Sequence, residues 1–192
     1  NVLGGSGNDV FTSGAGANNF QGNGGADRFV ATLNDGNDTF AGGAGVDTLD
    51  LSGTTASATV TAAIATSTQI GTDTLSDIEN VIGGTAGDVI TLGNGANTIE
   101  GRGGADIINA GGGADIILGG GGNDRITGGT GNDQMNGGAG TDTFLFSTNF
   151  GNDTISGQPS FNLLLWRNIN RSITFNDRLT GERVPLGNVC FR

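Results

Sequence analysis

A chain of 192 residues has the length of an ordinary domain, yet 39 of its residues are glycine, roughly three times the usual share of about 7%. Its net charge of −11 is uneven: residues 1–156 carry 17 Asp and Glu against 3 Arg, and residues 157–192 carry 5 Arg against 2 acids. The acidic part excludes nucleic-acid binding, which needs a basic face, no apolar run reaches the roughly 20 residues of a transmembrane segment, and a chain without histidine can build neither a zinc-binding H-E-x-x-H nor a Ser-His-Asp triad.

The first block, residues 1–50, opens with GGSGNDVFT at Gly4–Thr12 and closes with GGAGVDTLD at Gly42–Asp50. Both read G-G-x-G-x-D-x-U-x, with U a large apolar residue. Numbering the acidic position as six, the block holds Asp9, Asn18, Asp27, Asp38 and Asp47. The step is nine, except that Ala31 and Thr32 lengthen one step to eleven. Residues 51–82 break the pattern with a Thr/Ala-rich stretch, Ala58–Thr66, and end in LSDIENVI at Leu75–Ile82. They predict a non-repeat β insert of one or two strands that cover or continue the repeat fold.

A second block, residues 83–156, holds Asp88, Asn97, Asp106, Asp115, Asp124, Asp133 and Asp142 at steps of nine, then Asp153 after a step of eleven. Residues 157–192 lose the glycine pattern and carry Trp166, both prolines and the lone Cys190. They read as a divergent tail or cap, and a single cysteine makes no internal disulfide. The chain has no N-terminal signal peptide and begins inside the repeat, which reads as a piece of a longer protein.

Position eight is Phe11, Phe20, Phe29, Phe40, Leu49, Ile90, Ile99, Ile108, Ile117, Ile126, Met135, Phe144 and Ile155, apolar in all thirteen copies. Position seven is mixed (Val10, Asn19, Arg28, Thr39, Ile107, Arg125, Gln134). One side chain in, its neighbours out, is the period of a strand. A three-residue strand followed by a six-residue glycine turn is too short for a helix, and glycine readily takes the positive φ such turns need. The predicted fold is all-β: a parallel β-roll, or right-handed β-solenoid, with two nonapeptides per coil around one apolar column. Arg28, Arg102 and Arg125 are expected as solvated surface charges.

Stacked coils place each position-six side chain about 4.8 Å from its equivalent eighteen residues on. Asp88, Asp106, Asp124 and Asp142 then share one edge, Asn97, Asp115 and Asp133 share the other, and Asp9 pairs with Asp27. Such carboxylates repel by ~1 kcal/mol or more per pair even in water. Hard cations such as Ca²⁺ take six to eight oxygens from carboxylates and backbone carbonyls, and this turn offers both. An ion between adjacent turns reverses the repulsion, so binding and folding are expected as one event. Asn18 and Asn97 keep an oxygen but lose a charge, and their sites are expected to be weaker or empty.

These repeats resemble the RTX, or hemolysin-type calcium-binding, family, whose signature is G-G-x-G-x-D-x-U-x. The resemblance covers about 1–50 and 83–156, and Asp73–Ile90 is similar to stretches that separate RTX blocks. It implies calcium bound by Asp9, Asp27, Asp38, Asp47, Asp88, Asp106, Asp115, Asp124, Asp133, Asp142 and Asp153, with Asn18 and Asn97 at the same position. Turn carbonyls such as those of Gly5, Gly7, Gly120, Gly122, Gly129 and Gly131 complete the set. It also implies a secreted, extracellular protein of Gram-negative bacteria that leaves by type I secretion, unfolded at low cytosolic calcium and folded outside. The basic tail (Arg167, Arg171, Arg178, Arg183, Arg192) departs from the family, whose C-terminal secretion signals are usually poor in basic residues.

The expected function is calcium binding without catalysis, coupled to folding of the secreted protein, with an extracellular target that the sequence does not identify. The alternatives are an adhesin-like extracellular stalk, or the non-catalytic appendage of a secreted protease, lipase or toxin. Ice recognition would need a regular Thr/Asn array, and position three (Ser6, Ala15, Gly24, Asp35, Ala44) provides none. A disordered low-complexity linker does not explain a filled position eight.

Overall fold

The computed structural model describes residues 1–146, 149–157, 161–165, 173–177 and 183–184. Among these there is no helix; the strands form one sheet of 11 and one of 10, with successive repeat strands alternating between the two. Pairing is parallel throughout both blocks, with Phe11 beside Phe29, Ile99 beside Ile117 and Ile108 beside Ile126, eighteen residues apart. Where the step lengthens to eleven the register becomes twenty, as for Phe20 beside Phe40 and Met135 beside Ile155. The added residues are accommodated in turns, and the strands stay in phase. The chain is therefore the parallel β-solenoid its period predicts, with two nonapeptides per coil.

All thirteen position-eight side chains are buried. In the first block they are mostly aromatic: Phe11 stacks on Phe29 at 5.0 Å and Phe20 on Phe40 at 5.6 Å, with Phe29 and Phe40 tilted together at 5.5 Å across the column. The second block packs Ile90, Ile99, Ile108, Ile117 and Ile126 in the same place. One apolar residue in nine is a thin core for a glycine-rich backbone that loses much entropy on ordering. The core fixes the register, and other interactions have to hold the turns.

The strands of the second block are longer than the sequence suggests, running six residues in Thr98–Gly103, Ile107–Gly112, Ile116–Gly121 and Arg125–Thr130. Glycines of the turn continue the ladder, Gly111 pairing with Gly129 and Gly120 with Gly138. Arg28 also differs from expectation: its Nε donates to Asp50 at 2.9 Å and its Nη2 makes a second contact with the same carboxylate. The partners lie on neighbouring strands, Arg28 in Arg28–Val30 and Asp50 in Thr48–Asp50.

Residues 51–82 form four strands, Thr59–Thr61, Ile64–Ser67, Gly71–Ser76 and Asn80–Ile82. They continue the column: Leu75 stands beside Phe40, Val81 between Leu49 and Ile99, and Val60 beside Ile90. Ile64–Ser67 runs antiparallel between Thr59–Thr61 and Gly71–Ser76. Three strands thus separate the blocks in one sheet and a single strand in the other. Beyond Ser156, Phe161–Leu165 pairs parallel with Asp142–Phe146, and Ile173–Asp177 with Asp153–Gly157, extending both sheets. Trp166, Cys190, both prolines, Arg167, Arg171, Arg178 and Arg192 lie outside the described residues.

Candidate metal centre

Beyond Asp9, each position-six carboxylate is held by the backbone of the coil before it. On one edge, Oδ1 of Asp106 accepts the N–H of Asp88 at 2.7 Å, Asp124 that of Asp106 at 2.9 Å and Asp142 that of Asp124 at 3.0 Å. On the other, Asp115 accepts from Asn97 at 2.8 Å, Asp133 from Asp115 at 3.0 Å and Asp153 from Asp133 at 2.9 Å. The first block repeats the motif, with Asp27 accepting from Asp9 at 2.8 Å, Asp47 from Asp27 at 2.7 Å and Asp38 from Asn18 at 2.8 Å. The aspartates paired by sequence spacing are thus brought together in two ladders.

In most of them the second carboxylate oxygen has no such partner. Oδ2 of Asp27, Asp38, Asp47, Asp106, Asp115, Asp124, Asp133 and Asp153 is buried without a hydrogen bond, an arrangement that costs free energy unless something satisfies the oxygen. Position one shows what space is reserved there. A Cβ on Gly101 would overlap Asp106 Oδ2 and lie 2.5 Å from the carbonyl oxygen of Gly119; on Gly119 it would overlap Asp124 Oδ2 and lie 2.6 Å from that of Gly137. A carboxylate oxygen and a carbonyl from the next coil therefore converge over a residue with no side chain. Among the described residues no three acidic side chains gather into a metal cluster, so an ion here needs backbone carbonyls as well as carboxylates. Those hard oxygen donors fit Ca²⁺.

Position two decides which oxygens stay bare. In the first turn of each block it is not left-handed, and Gly5 and Gly84 donate their N–H to Oδ2 of Asp9 and Asp88, both at 2.8 Å. In the turns of Asp27, Asp106, Asp115, Asp124 and Asp133, position two is left-handed, with φ of 73° at Asn23, 75° at Arg102, 101° at Gly111, 114° at Gly120 and 108° at Gly129. No N–H then reaches Oδ2. Asn23 and Arg102 take this conformation although left-handed backbone costs roughly 1–2 kcal/mol with a Cβ. Arg102, read from sequence as a surface charge, therefore also shapes the turn through its backbone.

The two asparagines behave differently from the aspartates. Asn18 turns its amide onto its own turn, donating to the carbonyls of Gly14 at 2.7 Å and Gly16 at 3.0 Å. Asn97 donates to the carbonyl of Glu79 at 2.6 Å. In each, an N–H₂ group engages carbonyl oxygens, while Oδ1 of Asn97 is buried without a partner like the second oxygen of most aspartates.

Sequence spacing missed two members of the ladders. Asp73 Oδ1 accepts the N–H of Asp38 at 2.8 Å, and its Oδ2 is buried and unpartnered. Glu79 Oε2 accepts the N–H of Asp47 at 2.8 Å. The signal for the first was present as Gly71-Thr72-Asp73-Thr74-Leu75, the G-x-D-x-U half of a repeat.

Burial, opposed by the accepted N–H bonds and reinforced by neighbouring carboxylates, pushes Asp73, Asp106 and Asp153 up to about 7 and Asp115 up to about 6. Between the ordinary carboxylate value of 3.8 and about 7, the folded chain without metal binds more protons than the unfolded one. Its stability is then greatest at the acid end and is lost as pH rises through that window. Whatever β content the chain keeps in EDTA should therefore be greater at pH 5 than at pH 7.5, and the folded chain should bind calcium less tightly at pH 5, where protons compete. Tighter calcium binding at pH 5 than at pH 7.5 would contradict the buried-carboxylate reading.

The model of the RTX calcium-binding nonapeptide repeat matches in 4 copies, at residues 3–34, 30–53, 82–117 and 110–144, together more than half of the chain. No curated protein sequence matches. Among solved structures, the extracellular lipase LipA from Serratia marcescens is similar at 18% identity and a TM-score of 0.35, over 84% of this chain and 31% of the lipase. The chain thus spans about a third of that protein. Repeated turns with paired carboxylates and glycine carbonyls are what these four matches cover, and the chain belongs to the RTX calcium-binding nonapeptide repeat family, which binds Ca²⁺.

Proposed function

We propose that this chain is a non-catalytic calcium-binding β-roll whose ions sit between successive turns and whose folding is driven by them. The observation that carries the reading is the buried, unpartnered Oδ2 repeated along both edges, each held in place through Oδ1. The ligands proposed are the aspartates of the two ladders with turn carbonyls, among them those of Gly119 and Gly137, which lie against Asp106 and Asp124. Gly5, Gly7, Gly120, Gly122, Gly129 and Gly131 remain candidates of the same kind. Bound calcium supplies the positive charge that stacked carboxylates lack. The residues supply the rest: backbone N–H groups orient each carboxylate, and left-handed turn residues leave its second oxygen open.

Coupling of this kind suits a protein secreted from a calcium-poor cytosol, by a type I machinery, to a calcium-rich exterior. RTX proteins are generally secreted, which supports that localisation. The absence of histidine from the sequence supports a structural over a catalytic role. Equilibrium dialysis against Ca²⁺ tests the binding itself: several equivalents per chain are expected, and no uptake at millimolar calcium would overturn it.

A further inference from the structure

The repeat matches stop at residue 53 and resume at residue 82, yet the ladder of acidic side chains crosses this gap. Asp47 is the last consensus carboxylate of the first block. Its Oδ1 accepts the N–H of Asp27 at 2.7 Å, and its own N–H donates to Glu79 Oε2 at 2.8 Å. Its Oδ2 is fully buried and has no partner. That oxygen lies over Gly42, where a Cβ would overlap both Asp47 Oδ2 and the main-chain carbonyl oxygen of Asp77. In regular turns a position-one glycine carbonyl of the next coil stands at this place, as Gly119 does for Gly101. Here a residue of the insert takes over.

We propose that Asp47, Glu79 and the main-chain carbonyl of Asp77 form a calcium site that staples the first repeat block to the insert. The proposal rests on the calcium reading above and extends it to residues that no repeat match covers. Glu79 follows Asp73 by six residues instead of nine, so its turn is three residues short. Two substitutions suit the shortened turn. Asp77, two positions before Glu79 where a regular turn has its third glycine, at position four, takes a left-handed φ of 53°, and its carbonyl lies over Gly42. Glutamate in place of aspartate lengthens the carboxylate arm by one methylene. The backbone locks this arrangement, because the N–H groups of Glu79 and Asn80 both donate to the carbonyl of Asp47, at 3.1 and 2.8 Å.

Charge supports the same assignment. Burial first, and then the carboxylates of Asp27, Glu79 and Asp77, raise the Asp47 carboxyl above its ordinary value against the N–H bond from Asp27. A hard divalent cation relieves that accumulation, and its oxygen donors are already gathered. Because Val81 pairs with Leu49 on one side and Ile99 on the other, an ion at this point joins the strand that ends the first block to the strand leading into the second.

Glu79→Gln is the informative substitution, since glutamine keeps an oxygen to accept the Asp47 N–H but loses the charge. Calcium equivalents should be counted by equilibrium dialysis on the full chain, with unfolding followed by circular dichroism in saturating calcium. Glu79→Gln is expected to bind one equivalent fewer than wild type and to unfold in two separated steps. Glu100→Gln, which removes a carboxylate on Thr98–Gly103 outside both ladders, is expected to keep the full count. An unchanged count and a single transition in Glu79→Gln would overturn the proposal while leaving the calcium reading standing. A Glu79→Gln chain that folds at no calcium concentration would overturn it too, because the flanking ladders should still form. Wild-type protein that takes up no calcium would overturn both readings.

Discussion

Replacing Gly131 with alanine is expected to destabilise the second block by about 3 kcal/mol or more, the sum of a left-handed penalty of roughly 1–2 kcal/mol and overpacking of roughly 1–3 kcal/mol. Gly131 has φ of 131°, and a Cβ there would overlap the carbonyl oxygen of Gly113 in the coil before it. Neither partner is the end of a flexible side chain; both are backbone, fixed by flanking ladder pairs such as Gly111 with Gly129. Gly103→Ala is the matched control. Its Cβ would find nothing nearer than the Thr85 carbonyl oxygen at 3.4 Å, and its φ is not left-handed, so a change within about 0.5 kcal/mol is expected. Urea unfolding in saturating calcium compares the two, and coincident midpoints would mean that coil stacking at position four is looser than described.

The second large effect concerns one edge of the second block. Substituting Asp106, Asp124 and Asp142 together with alanine removes three carboxylates that each accept a backbone N–H, from Asp88, Asp106 and Asp124. Hydrogen bonds to charged groups contribute roughly 1.5–3 kcal/mol each, and the proposed ions would couple the three positions, so the losses should not simply add. The variant is expected to lose the calcium equivalents of that edge. The opposite ladder of Asp115, Asp133 and Asp153 should keep its own. Calcium stoichiometry equal to wild type would count against these aspartates as ligands.

Much of this fold is legible in the sequence because one rule generates it. A nine-residue step with an apolar residue at position eight fixes the strand phase, the inward column and the eighteen-residue pairing. That is why Asp106 and Asp124 could be placed on one edge from spacing alone. Legibility fails where tertiary packing keeps the rule but the local signal changes. Glu79 and Asp77 occupy places of Asp and Gly in a turn three residues short, and Asp73 carries only half of the repeat pattern. The reversal from Thr59–Thr61 into Ile64–Ser67 occurs without glycine punctuation. Position two is a subtler loss: Asn23 and Arg102 are left-handed like the glycines, a backbone state their side chains do not announce. The Arg28–Asp50 pair spans residues from successive coils, a contact visible only once coils are stacked.

Ladders of buried, unpaired carboxylate oxygens around a core of one residue in nine amount to a fold that calls for its ions. The direct measurement is far-UV circular dichroism of the chain, first in EDTA and then through a calcium titration into the millimolar range. A disordered spectrum in EDTA that converts cooperatively to a β spectrum as calcium rises, and reverts on chelation, is the predicted result. A β spectrum that is the same with and without calcium would contradict coupled folding.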